Sequence, residues 1–319
     1  MSYIDVFNGD ADGLCALHQL RLAQPVESIL ITGVKRDIAL LKQVQAMDDD
    51  VVTVLDISLD KNRESLIDLL ERGLQVNYFD HHFAGEVPAY PNLHHHINLS
   101  AETCSSVLVN AFLNGQFNIW AVVGAFGDNL ASVAQRIAAP LALPADKLDL
   151  LRELGECLNY NAYGETLEDL YFHPADLSRR MRPYADPFTF MRADTAFATL
   201  RAGYAADMEK VKMLQPSRQT NGAAVFFLPD VVWSRRVSGV FSNYLASHNQ
   251  NRAHAILSLN STGGYTVSIR APMMNKTGAD DLCRQFATGG GRKGAAGINN
   301  VPEDALPEFF EKFDLAYPG

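Results

Sequence analysis

The sequence lacks any apolar run long enough to cross a bilayer. No stretch approaches the roughly 18 uninterrupted apolar residues of a membrane-spanning helix. The first residues, Met-Ser-Tyr-Ile-Asp, form neither the basic region nor the apolar core of a secretory signal peptide. These absences predict a cytoplasmic protein that does not contact membranes.

Closely spaced cysteine pairs are missing as well. The four cysteines, Cys15, Cys104, Cys157 and Cys283, are far apart, and no Cys-x-x-Cys pair occurs. This spacing argues against a zinc ribbon and against a disulfide framework. Reduced, mostly buried thiols are expected instead.

The chain also lacks the positive net charge of a protein that coats long nucleic acids. Its formal net charge is -10, which disfavours non-specific binding to polyanions. The charge is unevenly distributed, because residues 210–300 carry eleven Lys or Arg against three acids, whereas residues 1–209 carry fifteen against twenty-nine. The acidic part suits divalent cations and the basic part suits an anionic substrate, although uneven surface solvation is the simpler alternative.

What the chain does have is enough material for two domains, with 319 residues of which 47% are hydrophobic. Short apolar runs predict strands at residues 3–7, 28–32, 51–55 and 75–79. Apolar residues at helical spacing predict helices between them, at residues 14–22, 38–45 and 66–70. This alternation predicts a parallel sheet covered by helices.

The later part of the chain has a different pattern. It is mainly helical from residue 103 to about residue 214, and a long helix at 195–214 is followed by Pro216, which favours a boundary there. Strands are predicted beyond it at 223–228, 253–259 and 265–269, with helices at 237–246 and 279–286. We therefore predict domains at 1–190 and 219–319, joined by a helical linker at 191–218.

Acidic and histidine side chains follow three of the predicted strands and one apolar helix. They are Asp10 and Asp12, Asp56, the run Asp80-His81-His82, and Asp128. Since ligands of open α/β sheets bind beyond the carboxyl ends of the strands, we expect these groups to meet at one edge and to form a two-metal site. Taken singly, the first pair is more typical of a solvated turn, and Asp56 could equally cap a helix.

A glycine-rich segment near the end of the chain indicates a second type of site. Gly289, Gly290 and Gly291 precede Arg292 and Lys293. Backbone N–H groups of such a segment can bind a phosphate with help from the two cations, although a purely structural loop is the alternative.

Taken together and in this order, these motifs resemble those of the DHH/DHHA1 phosphoesterase superfamily, and the match covers nearly the whole chain. The superfamily includes RecJ-type exonucleases, nano-RNases, dinucleotide phosphodiesterases and family II pyrophosphatases. The resemblance implies an α/β fold with an N-terminal parallel-sheet DHH domain, helices on both of its faces, a helical linker and a smaller C-terminal α/β DHHA1 domain. It also implies two divalent cations, commonly Mn2+, with Mg2+ as the alternative.

The resemblance further implies roles for individual residues. Asp10 would bind one metal, Asp12 and His81 the other, and Asp56 would bridge both with Asp128 nearby. Asp80 would orient His81, and His82 would face the scissile phosphate. The implied catalytic residues are therefore Asp56, Asp80, His81 and His82. The implied substrate-binding residues are Arg270, Gly289, Gly290, Gly291, Arg292 and Lys293, with Asn243 and Arg236 as weaker candidates.

Three positions depart from the superfamily pattern. Val6 stands where many members have a histidine, Asn8 where RecJ-type members have an aspartate, and Arg292 where the glycine motif usually has a histidine. Asn8 can still offer a neutral oxygen, so we expect the first metal to be held more weakly. Arg292 keeps a forked phosphate contact but loses any role in proton transfer.

The predicted function is that of a Mn2+-dependent phosphodiesterase. It would hydrolyse linear dinucleotides or short single-stranded oligonucleotides to nucleoside monophosphates. The alternatives are a 3'-phosphoadenosine 5'-phosphate phosphatase, a short single-strand DNA exonuclease, or a nucleotide-binding protein without catalytic activity. A homodimer is left open. The run Thr103-Cys104-Ser105-Ser106 is predicted to begin a helix and to contact the metal ligands.

Overall fold

A computed structural model describes residues 1–318 of the protein. The chain divides into two compact units, Met1–Ala202 and Gly203–Gly319. The division falls inside the stretch 191–218 for which a helical linker is expected. Within residues 1–318, no helix is both long enough and apolar enough to cross a bilayer.

The first unit is built on a sheet of five parallel strands in the order β2-β1-β3-β4-β5. The strands are β1 (Tyr3–Phe7), β2 (Ser28–Ile31), β3 (Val51–Leu55), β4 (Gln75–Asp80) and β5 (Leu93–Ile97). The four predicted strands and their parallel arrangement are thus confirmed. The additional strand, β5, contains His94, His95 and His96 at an edge of the sheet, where His96 stacks on Phe79.

Helices of the first unit cover both faces of this sheet. They are α1 (Ala11–Ala23), α2 (Leu59–Glu71), α3 (Ser105–Phe112), α4 (Asn118–Gly127), α5 (Ala131–Ala138), α6 (Ala145–Ala162), α7 (Pro174–Met181) and α8 (Pro187–Ala193). A ninth helix, α9 (Ala196–Lys212), contains the boundary between the units.

The first unit has two hydrophobic cores, one on each face of the sheet, and alternate residues of the strands contribute to one or the other. Phe7 and Leu55 belong to a core shared with α1, α3, α4 and α6. Val6 and Val54 belong to the core on the other face, shared with α2. This alternation follows from the pleat of a strand, which directs successive side chains to opposite faces. The prediction of helices on both faces is therefore confirmed.

The helix predicted at residues 38–45 is wrong. Only a short 3-10 turn, Leu41–Gln43, forms there. The side chain of Asn62 accepts a hydrogen bond from the backbone N–H of Leu41 (3.1 Å) and donates one to the carbonyl of Ile38 (2.6 Å). These bonds satisfy the backbone of an irregular segment, while Leu40 and Leu41 still enter the core. The spacing of the apolar residues at 38–45 therefore serves contacts with the core and does not indicate a helix.

The second unit has a mixed six-stranded sheet in the order β10-β11-β9-β8-β7-β6. Its strands are β6 (Arg218–Gln219), β7 (Ala223–Leu228), β8 (Ala253–Leu259), β9 (Tyr265–Arg270), β10 (Gly289–Arg292) and β11 (Ala295–Val301). Its helices are α10 (Val232–His248), α11 (Ala279–Cys283) and α12 (Leu306–Ala316). The core contains the fully buried rings of Phe309 and Phe313 from α12. The expected α/β architecture of a smaller C-terminal domain is confirmed.

Two local predictions for the second unit need correction. The helix predicted at 279–286 ends at Cys283, and Phe286 instead lies in a turn, accepting a hydrogen bond from the backbone N–H of Gly289 (2.9 Å). The glycine-rich segment is not a loop, because Gly289–Arg292 pairs antiparallel with Ala295–Val301 as a hairpin. The absence of side chains lets the two strands come close, since a Cβ on Gly291 would lie 2.5 Å from Cα of Ala296.

Candidate metal centre

The carboxyl ends of β1, β3 and β4 lie side by side, which brings the predicted acidic motifs together. Phe7 aligns with Leu55, and Leu55 aligns with Phe79. The residues that follow these strands therefore emerge at one edge of the sheet, as expected for the ligand-binding edge of an α/β sheet. Five of the predicted residues converge there: Asp10, Asp12, Asp56, His81 and Asp128.

Asp10 and Asp12 are held at the start of α1. Asp10 is the N-cap, and its Oδ1 accepts hydrogen bonds from the backbone N–H groups of Asp12 (3.0 Å) and Gly13 (3.1 Å). Glycine is required at position 13, since a Cβ there would lie 2.2 Å from the carbonyl oxygen of Asn8. The turn between β1 and α1 is thus tight, and both aspartates are almost fully buried. The solvated-turn alternative is wrong.

Asp12 caps a second helix. Its two carboxylate oxygens accept hydrogen bonds from the backbone N–H groups of Ser105 (2.6 Å) and Ser106 (2.8 Å) in the first turn of α3. The Ser105 hydroxyl in turn donates to Oδ1 of Asp56 (3.0 Å). The predicted contact between this helix start and the candidate ligands Asp12 and Asp56 is therefore present, with the cap supplied by Asp12.

Asp56 adopts a left-handed backbone conformation, with φ of 61°. Non-glycine residues adopt this region uncommonly, and aspartate tolerates it better than most. The conformation turns the chain directly after β3 and leaves the carboxylate buried at the sheet edge. Asp56 does not cap a helix, because α2 begins after Ser58. The N-cap alternative for Asp56 is therefore wrong.

His81 lies at the centre of three carboxylates. Its Nε2 is 3.3 Å from Oδ1 of Asp56, 4.0 Å from Oδ2 of Asp12 and 4.0 Å from Oδ2 of Asp128. Two ligand atoms that each lie about 2.1 Å from an octahedral cation are roughly 3.0–4.2 Å apart. The measured spacings fall in this range, and oxygen and imidazole donors suit Mn2+ or Mg2+. Each of the three carboxylates is therefore spaced from Nε2 of His81 as two ligands of one divalent cation would be.

Asp128 reaches this group from the end of α4. It is the C-cap residue, and Gly127 before it packs so closely on α1 that a Cβ would lie 2.3 Å from Cβ of Ala11. This close approach of α4 and α1 positions the Asp128 carboxylate beside His81. Burial raises the pKa of Asp128 to about 6, an effect that the charge of Lys35 partly offsets.

His82 is held by Asp80. Its Nδ1 lies 2.7 Å from Oδ1 of Asp80, which is completely buried, whereas the His82 side chain is 41% exposed. Asp80 thus accepts a hydrogen bond from His82 rather than from His81, which corrects the expected pairing. His82 also belongs, with Asp56 and His81, to a group whose potential ligand atoms lie within 4.8 Å of one another.

The buried carboxylates destabilise one another electrostatically. Burial, followed by the charges of Asp12 and Asp10, raises the pKa of Asp56 well above its usual range. Buried like charges of this kind are stabilised when a cation binds among them. Burial likewise raises the pKa of the nearby Cys15 and Cys104 thiols, which makes a reactive thiolate unfavourable at the site.

Lys35 is a part of the site that the sequence motifs did not reveal. Its ammonium group forms an ion pair with Oδ2 of Asp10 and donates a hydrogen bond to Oδ1 of Asn159 on α6 (3.0 Å). Burial alone would raise the pKa of Asp10, but the charge and hydrogen bond of Lys35 lower it to about 2. The available signal was the position of Lys35, which follows β2 and so lies at the same sheet edge as the motifs.

Asn8 and Val6 offer little to a cation. The amide oxygen of Asn8 accepts a hydrogen bond from the backbone N–H of Asp10 (3.2 Å), and its Nδ2 donates to the carbonyl of Lys35 (3.2 Å). Val6 is fully buried in the core shared with α2. Asn8, a predicted metal ligand, thus serves as a bridge between two backbone segments.

The candidate substrate contacts of the second unit are arranged around the end of β9. Arg270 is half-buried and donates hydrogen bonds from Nε to Oδ1 of Asn243 (2.9 Å) and from Nη1 to Oγ of Ser268 (3.2 Å). Arg292 and Lys293 are exposed in the hairpin formed by β10 and β11. Arg236, a weaker candidate, instead pairs with the buried carboxylate of Asp207 at 2.7 Å.

Comparisons of the fold identify similar solved structures. A manganese-bound exonuclease RecJ superposes with a TM-score of 0.60 at 18% identity, over 98% of this chain and 90% of that chain. The DHH domain of a protein described as a member of a ribosomal-protein family gives 0.65 at 12% identity, over 98% and 86%. The pGpG-specific phosphodiesterase PggH from Vibrio cholerae gives 0.60 at 13% identity, over 99% of both chains.

At the level of sequence alone, a scan against protein-family models and a search of the curated proteins each give no match. The structural likeness extends over both units of the chain and includes the parallel sheet that carries the acidic motifs. The resemblance predicted from the motifs is therefore confirmed at the level of the fold, and the chain has the fold of the RecJ-like DHH proteins.

Proposed function

We propose that the protein is a metal-dependent phosphodiesterase that hydrolyses linear dinucleotides or short oligonucleotides to nucleoside monophosphates, with Mn2+ as its expected cation. One observation carries the proposal. The buried carboxylates of Asp12 and Asp56 and the partly exposed carboxylate of Asp128 lie 3.3–4.0 Å from Nε2 of His81, beside the hydrogen-bonded pair His82–Asp80. This combination offers a cation site and an adjacent imidazole that reaches solvent.

A divalent cation held by Asp12, Asp56, His81 and Asp128 would supply Lewis acidity, lowering the pKa of water and neutralising charge on the phosphate. The chain's own residues would do the rest. Asp12 and Asp56 are fixed by hydrogen bonds from the first turn of α3, so they would bind without reorganising. Asp80 holds His82 through Nδ1, leaving Nε2 to donate a hydrogen bond to the scissile phosphate or to the leaving oxygen.

The second unit would hold the substrate by its phosphates. We propose this role for Arg270, which ends β9, and for the hairpin residues Gly289, Gly290, Gly291, Arg292 and Lys293. The guanidinium groups provide forked donors that match phosphate oxygens. Asn243 would keep the Arg270 side chain in position.

Two relatives in fold support the choice of reaction and substrate. RecJ, described as an exonuclease and bound to manganese, represents cleavage of nucleic acid strands. The phosphodiesterase from Vibrio cholerae, specific for pGpG, matches this chain over 99% of both lengths. The likeness to a dinucleotide-specific phosphodiesterase favours a dinucleotide as substrate, and exonuclease activity on short single strands is the second candidate.

A substrate panel tests the proposal. Purified protein with Mn2+ is incubated with pGpG, pApA, short RNA oligomers, single-stranded DNA and 3'-phosphoadenosine 5'-phosphate, and the products are resolved by chromatography. We expect the linear dinucleotides to give nucleoside monophosphates fastest, and no turnover in EDTA. Release of phosphate from 3'-phosphoadenosine 5'-phosphate alone would favour the phosphatase. Intact dinucleotides and oligomers would contradict the proposal.

A further inference from the structure

Lys35 occupies a rigid position beside the metal centre. Its backbone N–H donates to the carbonyl of Ala162 (2.9 Å), and its carbonyl accepts a hydrogen bond from Nδ2 of Asn8 (3.2 Å). Its ammonium group contacts Asp10 and Asn159. The side chain is thus fixed at both ends, which distinguishes it from a lysine that samples many rotamers on the surface.

Both carboxylate oxygens of Asp10 have partners, as those of Asp12 do, but one partner of Asp10 is a cation. Oδ1 caps α1 through two backbone N–H groups, and Oδ2 is paired with Lys35. A cation bound at Oδ2 would have to displace the ammonium group or lie directly against it, at a cost in like-charge repulsion. Asp10 is therefore already neutralised by the protein itself.

The side chains of Val6 and Asn8 would add little to the coordination of a cation beside Asp10. Val6 is apolar and faces the core shared with α2. The amide of Asn8 is engaged with the backbone on both its oxygen and its nitrogen. A cation next to Asp10 would thus have few protein ligands, in contrast to a cation beside Nε2 of His81, where oxygens of three carboxylates lie within 3.3–4.0 Å of that nitrogen.

We propose that Lys35 takes the place of one of the two metal ions, so that the site binds a single divalent cation at Asp12, Asp56, His81 and Asp128 beside a fixed ammonium group at Asp10. This differs from the two ions implied by the sequence resemblance. An ammonium group has three donors, and Lys35 uses two of them on Asp10 and Asn159. The third would bind a phosphate oxygen of the substrate, a contact permitted by the 30% exposure of this side chain.

The proposal rests on the metal-dependent function proposed above, but the number of bound ions can be measured without substrate. Metal-free wild-type protein is titrated with Mn2+ by calorimetry, and the bound metal is counted by elemental analysis. Electron paramagnetic resonance of the loaded protein provides a second readout. We expect one equivalent per chain and the hyperfine pattern of an isolated Mn2+ ion.

Substitutions of Lys35 test whether this residue limits the protein to one bound cation. In Lys35→Met, the freed oxygen of Asp10 should bind a second, weaker equivalent of Mn2+, whereas Lys35→Arg should keep a single equivalent because the charge is retained. Lys42→Met removes an exposed lysine of the same unit and should behave as wild type. Circular dichroism verifies that each variant is folded.

Two equivalents in the wild type, with the multiline spectrum of an exchange-coupled pair, would overturn the proposal. A Lys35→Met variant with the metal stoichiometry of the wild type would also count against it. Neither result depends on turnover. Inactivity toward every phosphodiester would instead contradict the proposed function and leave the metal count readable.

Discussion

The two candidate binding regions of this protein are built in opposite ways. At the sheet edge of the first unit, Asp12 and Asp56 are buried and hydrogen-bonded to the first turn of α3. In the second unit, Arg292 and Lys293 are exposed on a glycine hairpin, and Arg270 is only half-buried. Buried charges are costly unless they are paired or bind a cation, so the first region suits a divalent cation, while the second suits an anionic ligand.

This contrast predicts that substitutions in the first region lower kcat and that those in the second raise KM. The largest effect is expected for Asp56→Asn. It removes a charge from the cation site while preserving the shape of the side chain, and we expect kcat for pGpG to fall at least ~100-fold, since even partners of metal ligands cost 10–100-fold.

Asp56→Asn should also change the thermal stability of the protein. Because Asp56 is buried among like charges, Asp56→Asn should raise the melting temperature in EDTA and reduce the additional stabilisation produced by Mn2+. Differential scanning calorimetry with and without the metal measures both. An Asp56→Asn variant that remains active, or that Mn2+ stabilises as much as the wild type, would contradict the assignment of the metal to the first region.

Acid should destabilise the first unit through His18. Burial lowers the pKa of His18 to about 4, although its hydrogen bond to the Tyr184 carbonyl at 2.9 Å acts in the opposite direction. Below pH 6.5 the unfolded chain takes up a proton that the folded state does not. Stability should therefore fall as the pH drops from 6.5 to about 4, by up to about 3 kcal/mol.

Urea unfolding at pH 7 and pH 5 measures this loss. The fluorescence of Trp120 reports on the first unit, since its ring lies 4.5 Å from that of His18, and Trp233→Phe removes the other tryptophan. His18→Gln should show a smaller loss between the two pH values. An unchanged loss in His18→Gln would assign the effect to other groups.

A smaller effect on activity is expected for Asp80→Asn. Asp80 contacts His82 and not the cation ligand His81, so the variant should lower kcat by about 10–100-fold and leave Mn2+ affinity unchanged. His81→Ala is the matched control, because this variant removes an expected cation ligand and should therefore lower the affinity for Mn2+. Equal losses of Mn2+ affinity in both variants would mean that Asp80 supports the metal rather than His82.

The smallest effect is expected in the second unit. Arg270→Ala should raise KM for pGpG about tenfold, the equivalent of one charge-assisted hydrogen bond, with kcat nearly unchanged. Arg218→Ala, which removes an exposed arginine paired with Asp314, should leave both constants unchanged. A fall in kcat without a change in KM would show that Arg270 acts on the reaction itself and would blur the contrast between the regions.

The sequence was most informative where local pattern and tertiary role coincide. The strand before Asp56 was predictable, because a short, mainly apolar run such as Val51–Leu55 followed by a polar group is typical of a buried parallel strand. The strand before the Asp80 motif was predictable from the alternation of polar and apolar residues over 75–79. The helix predicted at 38–45 failed because its apolar spacing served core contacts, while the Asn62 side chain satisfied the backbone.

The ion pair between Lys35 and Asp10, which are 25 positions apart, was not predicted from the sequence. Only the order of strands in the sheet brings such residues together, and no local pattern encodes it. The strand formed by the glycine segment was not predicted for a related reason, since it depends on pairing with Ala295–Val301.

The central claim is that the sheet edge of the first unit binds a divalent cation through Asp12, Asp56, His81 and Asp128. Anomalous diffraction at the manganese edge, from crystals of the protein grown with Mn2+, tests it most directly. We predict one anomalous peak about 2.2 Å from the nearest oxygen and nitrogen atoms of these residues, with the ammonium group of Lys35 still on Asp10. A peak located elsewhere, or none at this edge, would contradict the account.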